Sequence, residues 1–290
     1  MQEISLMTNL LNRLFLFLCV AAYTIVSSSA CPIWHALVIG LGQYEDTNWS
    51  KINGDNDVSY VVKLLEQCGY TDVKTLKNQN ATKNNILSAL NNLIGRCNLG
   101  DRVYIHYSGH GQLMTDLNGD EATRWDGWHS LWDESIIPYD AYMTYCDKDR
   151  GEKHISDDEL SFYLTKIRNV VGKKGEIIVV IDACHSGDAT MGDMNELIRG
   201  VDTKFNIPKV PNAPTVSPLP EQWLTISACQ PYQICTEIKE KRVGKLTFAL
   251  YSLGRSFFEL EKKDMESHLK SFFLKYEGNL PQTPMVSGRK

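Results

Sequence analysis

The chain has 290 residues, 43% of them hydrophobic and 22% charged, the balance of a folded globular protein and not of a disordered tail or a fibre. Thirty Lys and Arg stand against 35 Asp and Glu, a formal net charge of −5; the basic excess that neutralises phosphates is missing, so no nucleic-acid partner is expected. No fixed-period repeat or low-complexity tract points to a solenoid, and the length suits one large α/β domain.

Residues 14–26 (LFLFLCVAAYTIV) follow Arg13 and run into Ser27, Ser28, Ser29 and Ala30. This apolar run is shorter than the ~20 residues of a membrane-spanning helix. It suits the apolar region of a secretory signal, with Arg13 as basic flank and Ser28-x-Ala30 as a small-residue cleavage site. Residues 1–30 are therefore read as a signal peptide, and the protein as exported, secreted or periplasmic, with no membrane span. Cys31 follows directly, so a lipid anchor on its thiol is the alternative, although Ser28 stands where Leu is usual. Removing residues 1–30 takes away Glu3 and Arg13, and the net charge stays at −5. Cys31, Cys68, Cys97, Cys146, Cys184, Cys229 and Cys235 remain. An odd count leaves a thiol unpaired in an oxidising compartment. No Cys-x-x-Cys pair points to zinc.

Along the remaining chain, residues 36–41 (ALVIGL) form a short apolar run ending at Gly42, as a buried parallel strand does. Gly54, Asp55, Asn56 and Asp57 then signal a helix start before Val58, Val61, Val62, Leu64 and Leu65 at helical spacing. Residues 73–76 make a strand. Thr82 caps a helix with Ile86, Leu87, Leu90, Leu93 and Ile94 on one face. Residues 101–107 (DRVYIHY) are the next strand, 113–157 a long polar and aromatic insertion, 158–171 a helix and 176–181 (EIIVVI) another apolar strand. Residues 206–220 carry five prolines and read as an extended linker. A strand at 223–227 and a helix at 246–258 follow. Strands alternating with helices require crossover connections, hence a mostly parallel sheet with helices on both faces.

Two of these strands end in unusual sequences: Tyr107-Ser108-Gly109-His110-Gly111 and Asp182-Ala183-Cys184-His185-Ser186-Gly187. Ligands bind at the carboxyl ends of parallel strands, so His110 and Cys184 become spatial neighbours there. A thiol beside an imidazole is a nucleophile with its base, and the same imidazole can protonate a leaving amine. Adjacent glycines let a peptide backbone approach and free amide N–H groups for an oxyanion. His185 is read as structural, because neighbouring side chains on a turn diverge. His106, inside the strand, is read as packed. Ser186 lacks a G-x-S-x-G elbow, and Gly40-x-Gly42 lacks the third glycine of a dinucleotide site.

The two motifs together resemble the caspase superfamily, and most closely the metacaspases with their bacterial relatives. The similarity runs from about Ala36 to Gly254. It takes in Asn56-Asp57, the stretch Asp133-Glu134-Ser135-Ile136-Ile137-Pro138, Ser227-Ala228-Cys229-Gln230, and Gly244-Lys245-Leu246-Thr247-Phe248. The resemblance implies a caspase-like α/β fold and a cysteine endopeptidase, with Cys184 as nucleophile, His110 as base and then acid, and the N–H groups of Cys184 and Gly111 as oxyanion hole. It implies polypeptide substrates cleaved after Arg or Lys, with Asp57 and Asp182 in the specificity pocket and Ser108 on its wall; a buried cation needs such carboxylates. On this reading residues 31–205 are the large-subunit region, 206–220 the linker, and 221–290 a small-subunit-like region completing the same fold. The chemistry requires no cofactor.

The insertion is rich in carboxylates, and the resemblance allows a calcium site, with Asp120, Asp126, Asp133 and Glu134 as candidate ligands. Asp116-x-Asn118-x-Asp120 begins like an EF-hand, but Glu121 replaces the required Gly and Gly127 the closing Glu. The resemblance also implies self-cleavage after a basic residue, with Arg199, Lys204 and Lys209 as candidates. The cysteines other than Cys184 allow three disulfides, and spacing does not choose among the connectivities. The alternatives are a clostripain- or gingipain-like protease, or a catalytically silent caspase-like binding module.

Overall fold

The computed structural model describes residues 31–119, 132–184, 197–208, 222–230, 233–276 and 280–289. Residues 1–30, with the expected signal segment, lie outside them, and Ile33–Lys290 forms one compact unit. In chain order the strands are β1 (Trp34–Gly40), β2 (Asp72–Lys77), β3 (Arg102–Ser108), β4 (Gly111–Thr115), β5 (Trp132–Ile136), β6 (Ile155–Ser156), β7 (Glu176–Asp182), β8 (Leu224–Ser227), β9 (Glu237–Ile238), β10 (Val243–Gly244) and β11 (Met285–Gly288). The helices are α1 (Gly54–Gln67), α2 (Lys83–Arg96), α3 (Asp157–Val171), α4 (Lys245–Leu253), α5 (Ser256–Glu259) and α6 (Lys262–Lys275).

The central sheet has the order β11-β8-β7-β3-β1-β2. All neighbours pair in parallel except β11, which closes the edge antiparallel to β8. The inner strands β1, β3 and β7 are buried on both faces because both faces of the sheet are covered. Their alternation divides the core in two. Ala36, Val38, Tyr104, Ile178 and Val180 pack under α1, α4, α5 and α6, while Leu37, Ile39, Val103, Ile105, Ile177 and Val179 pack under α2 and α3.

Local signals set the helix ends. Thr82 accepts the N–H of Asn85 and Ser156 that of Glu159, each satisfying one of the orphan donors of a first turn. The expected single helix over 246–258 is broken: Gly254 takes φ +57°, and α4 ends before α5 begins. A glycine in the left-handed region stops a helix at little cost. The insertion is also more structured than its polarity suggests, since β4, β5 and β6 form a small antiparallel sheet. Of the expected linker, residues 209–220 lie outside the described residues. Its start is tethered, because Phe205 just before it pairs with β4 and the N–H of Ile207 within it bonds Thr115 Oγ1 at 2.8 Å. Among the described residues no helix is long and apolar enough to cross a membrane.

Candidate active site

The strand register builds the site. Ser108 at the end of β3 lies opposite Asp182 at the end of β7, and two residues beyond each stand His110 and Cys184. Period two also sends His106, Ser108 and Asp182 to the face that carries Tyr104, Ile178 and Val180, under α1 and α4.

His110 is buried against the rings of Tyr44 and Trp49, each centroid 5.2 Å away. Its N–H donates to the Tyr44 hydroxyl at 2.7 Å. Its Nε2 lies 2.8 Å from the Ser50 carbonyl. A carbonyl only accepts, so Nε2 carries the proton and Nδ1 keeps the basic lone pair; that Nδ1 has no hydrogen-bond partner among the described residues. Burial lowers the imidazole pKa to about 4, with the Ser50 carbonyl acting the other way. Burial pushes the Cys184 thiol up to about 12, opposed by its backbone contact at Cys235 and by the charge of Arg199. Thiol and imidazole are thus both neutral at rest.

Arg199, at 0% exposure, occupies the acidic pocket. Its Nη1 lies 2.7 Å from Asp57 Oδ2 and 3.5 Å from Asp182 Oδ1, and Nε and Nη2 donate to Glu237 Oε1 at 3.1 and 2.9 Å. The carboxylates are themselves held. Ser108 Oγ donates to Asp57 Oδ2 at 2.8 Å and the Gly244 N–H to Asp57 Oδ1 at 3.1 Å. The N–H and Oγ of Thr247, in the first turn of α4, reach Asp182 Oδ2 at 2.8 and 2.7 Å, so orphan donors of a helix N-terminus face an anion. His106 links Ser108 and Thr247, 3.1 Å from each hydroxyl, and burial holds its imidazole neutral, at a pKa of about 3. Burial acts to lower the Arg199 pKa, but Asp57, Asp182 and Glu237 outweigh it and hold the guanidinium protonated.

The backbone of Arg199 is held as closely as its side chain. Its carbonyl oxygen accepts the N–H groups of Cys184 at 3.1 Å and Gly111 at 3.2 Å. Its own N–H donates to Cys235 O at 3.0 Å, and Leu197 O accepts from the Glu237 N–H, so residues 197–199 lie antiparallel to residues 235–237, with Ile198 opposite Thr236. On the other side Gly200 pairs with Gly111 and Phe205 with Met114, both parallel to β4. The segment crosses the site as an extended peptide, paired before and after Arg199.

Of the residues singled out from sequence, His110, Gly111, Cys184, Asp57, Asp182 and Ser108 all converge here. His185 lies outside the described residues. Arg199 sits in the centre, whereas Lys204 lies over the Trp132 ring and Lys209 lies outside the described residues. Sequence reasoning missed Tyr44, Trp49 and Ser50, which fix the imidazole, and Glu237, which completes the pocket. Glu237 stands in a charged stretch (TEIKEK) that looks like solvated surface. Cys229 and Cys235 form a disulfide, while Cys31, Cys68, Cys97, Cys146 and Cys184 are free. Of the candidate calcium ligands, Asp120 and Asp126 lie outside the described residues. Asp133 and Glu134 are neighbours on β5, whose pleat sends them to opposite sides. No cluster of three or more His, Cys, Asp or Glu suited to a metal ion occurs among the described residues.

The chain is similar to known proteins. Metacaspase-1B of Aspergillus terreus is 34% identical over 165 residues, 53% of this chain and 38% of that protein. Metacaspase-2 of Arabidopsis thaliana is 38% identical over 119 residues, 41% of this chain and 23% of that protein. The matched part of the chain thus spans well under half the length of these relatives. In fold the chain is similar to caspase-1 from Spodoptera frugiperda, with a TM-score of 0.59 at 12% identity, covering 89% of this chain and 86% of that one. The caspase-domain family model, Peptidase_C14, matches residues 34–285, and the chain belongs to that family.

Proposed function

We propose that the chain is a cysteine endopeptidase that cleaves after Arg, and after Lys less well, and that it first cuts itself between Arg199 and Gly200. One observation carries this reading. Arg199 presents its guanidinium to Asp57, Asp182 and Glu237 while its carbonyl oxygen rests on the N–H groups of Gly111 and Cys184. A residue held at both ends in this way is bound as a substrate, with its carbonyl already polarised for attack.

In the proposed reaction Cys184 Sγ attacks the carbonyl carbon of Arg199 and His110 Nδ1 takes the thiol proton. A thiol near 12 and an imidazole near 4 disfavour a standing ion pair, so proton transfer accompanies attack. The negative charge on oxygen falls on the two N–H groups. The C–N bond then breaks, Nδ1 returns the proton to the Gly200 nitrogen, and a thioester to Cys184 remains. Water, deprotonated by the same imidazole, hydrolyses the thioester to a carboxylate on Arg199 and restores the thiol. Ser50 keeps the imidazole in the needed tautomer throughout. Polypeptides supplied in trans follow the same course once the pocket is vacated. Glu237 favours Arg over Lys, since a two-nitrogen contact suits a planar guanidinium and not an ammonium.

In the same proposal residues 1–30 direct export and calcium acts as a regulator, while the peptide chemistry itself is carried by Cys184 and His110. The test is hydrolysis of fluorogenic peptides ending in Arg, Lys or Asp by residues 31–290 under reductant, with and without calcium, beside Cys184→Ala. Cleavage after Arg and Lys that vanishes in the variant is expected. A folded protein that cleaves none of them leaves the silent binding module as the better reading.

A further inference from the structure

Resting on the proposed function, we infer that this peptidase is selective on the far side of the scissile bond, and takes polypeptides in which the basic residue is followed by glycine. Gly200 stands directly after the bond to be cut. A β-carbon there would lie 2.5 Å from the Cys184 carbonyl oxygen, 3.1 Å from its carbonyl carbon and 2.5 Å from its Sγ. Contacts this short do not occur between unbonded atoms, so one side must move.

Neither side can give. The Cys184 carbonyl belongs to the backbone that follows β7, and the N–H of the same residue is committed to the Arg199 oxygen. Sγ could rotate away, but the proposed attack on the Arg199 carbonyl carbon dictates where it must stand. The peptide cannot slide either. Upstream, Arg199 is held by its side chain and by pairing with residues 235–237. Downstream, Phe205 is fully buried, its N–H donates to Leu113 O at 2.8 Å, and its carbonyl accepts the Thr115 N–H at 3.0 Å. Between the two, Gln112 donates through its side-chain amide to Thr203 O at 2.6 Å. The residue after the bond is pinned between anchors against backbone, and a side chain there is refused by shape. One unwanted carbon in a rigid pocket separates substrates by about 10- to 200-fold.

The test uses internally quenched peptides of sequence Leu-Ile-Arg-X-Val-Asp, with X as Gly, Ala or Val, on the self-processed wild-type protein, beside a peptidyl-arginine coumarin substrate that has no residue after the bond. The glycine peptide is expected to exceed alanine in kcat/KM by about ten-fold or more and valine by a larger factor. Rates within about two-fold across the three peptides, with the coumarin substrate cleaved, would overturn this inference and leave the proposed function standing. If the coumarin substrate is not cleaved, both fall. A second arm follows self-processing in Gly200→Ala by mass spectrometry, with a thermal melt to establish folding. The folded variant is expected to cut at Arg199 about ten-fold more slowly than wild type; an unchanged rate counts against the inference, and the peptide series does not depend on this variant.

Discussion

Glu237 Oε1 receives both Nε and Nη2 of Arg199, at 3.1 and 2.9 Å, while its carboxylate is braced from behind by the N–H and side-chain amide of Asn53. This contact reads the plane of a guanidinium, whereas Asp57 and Asp182 read positive charge. Charge-assisted bonds of this kind contribute about 1.5–3 kcal/mol. Glu237→Gln is therefore expected to lower kcat/KM for arginyl peptides by about ten-fold or more, and to lower it less for lysyl peptides. The ratio of the two is the measurement, and an unchanged ratio removes Glu237 from the specificity pocket.

Removing Arg199 leaves buried carboxylates facing one another. In the Cys184→Ala background, where no self-cleavage intervenes, Arg199→Ala is expected to cost about 3–5 kcal/mol in urea unfolding. Added arginine amide should restore part of that loss in proportion to the logarithm of its concentration, because a ligand that binds only the folded state stabilises by mass action. If millimolar arginine amide leaves the transition unmoved, the pocket does not accept a free guanidinium.

The buried imidazoles give stability a defined acid limb. The pKa values of His110 and His106 are lowered by burial to about 4 and about 3, below the ~6.5 of an unfolded histidine. Between those values the unfolded chain binds more protons than the folded one, so stability is complete above pH ~6.5 and is lost as pH falls toward 4. Cys184 works in the opposite direction: its raised pKa makes stability fall as pH rises from ~8.5 toward 12. Melting the Cys184→Ala protein from pH 4.5 to 8 should show Tm dropping below pH 6.5. His106→Asn should flatten that slope by about one proton; an identical slope in both proteins would mean that His106 is not held neutral.

Phe205 holds the segment that follows the proposed cut. It is fully buried, 4.2 Å between centroids from the His154 ring, and paired with β4 through both backbone groups. The proposed self-cleavage alone would therefore leave the new amino terminus at Gly200 beside Cys184. Phe205→Ala is expected to cost about 3–5 kcal/mol of stability, and to raise kcat/KM of the processed protein for peptides in trans several-fold. Equal turnover by the two processed proteins would show that the segment leaves unaided.

Much of this molecule was legible in the order of its residues. Apolar runs at 36–41 and 176–181 read as strands buried on both faces, because a one-sided element alternates instead of staying apolar. Thr82 and the run Gly54-Asp55-Asn56-Asp57 marked helix origins by chemistry that is local. The glycines around His110 and Cys184 marked strand ends where a backbone must approach. The break at Gly254 escaped notice because the apolar spacing continues through it, and one dihedral angle decides the matter. The pairing of β4 with β5 escaped notice because a polar hairpin over a crossover looks like a loop.

What the sequence determined by itself is the set of chemical groups, a thiol, an imidazole and carboxylates, and the alternation that brings them to the carboxyl ends of parallel strands. Tertiary structure alone decided which basic residue lies in the pocket and what surrounds it. Arg199 and Glu237 are 38 residues apart and Arg199 and Asp57 are 142 apart, so no local pattern links them. Their meeting depends on the register of β3 against β7 and on the direction in which residues 197–208 cross the sheet end. A guanidinium is indifferent to sequence neighbours; it goes where buried carboxylates outweigh the loss of water, and only the folded chain gathers them in one place.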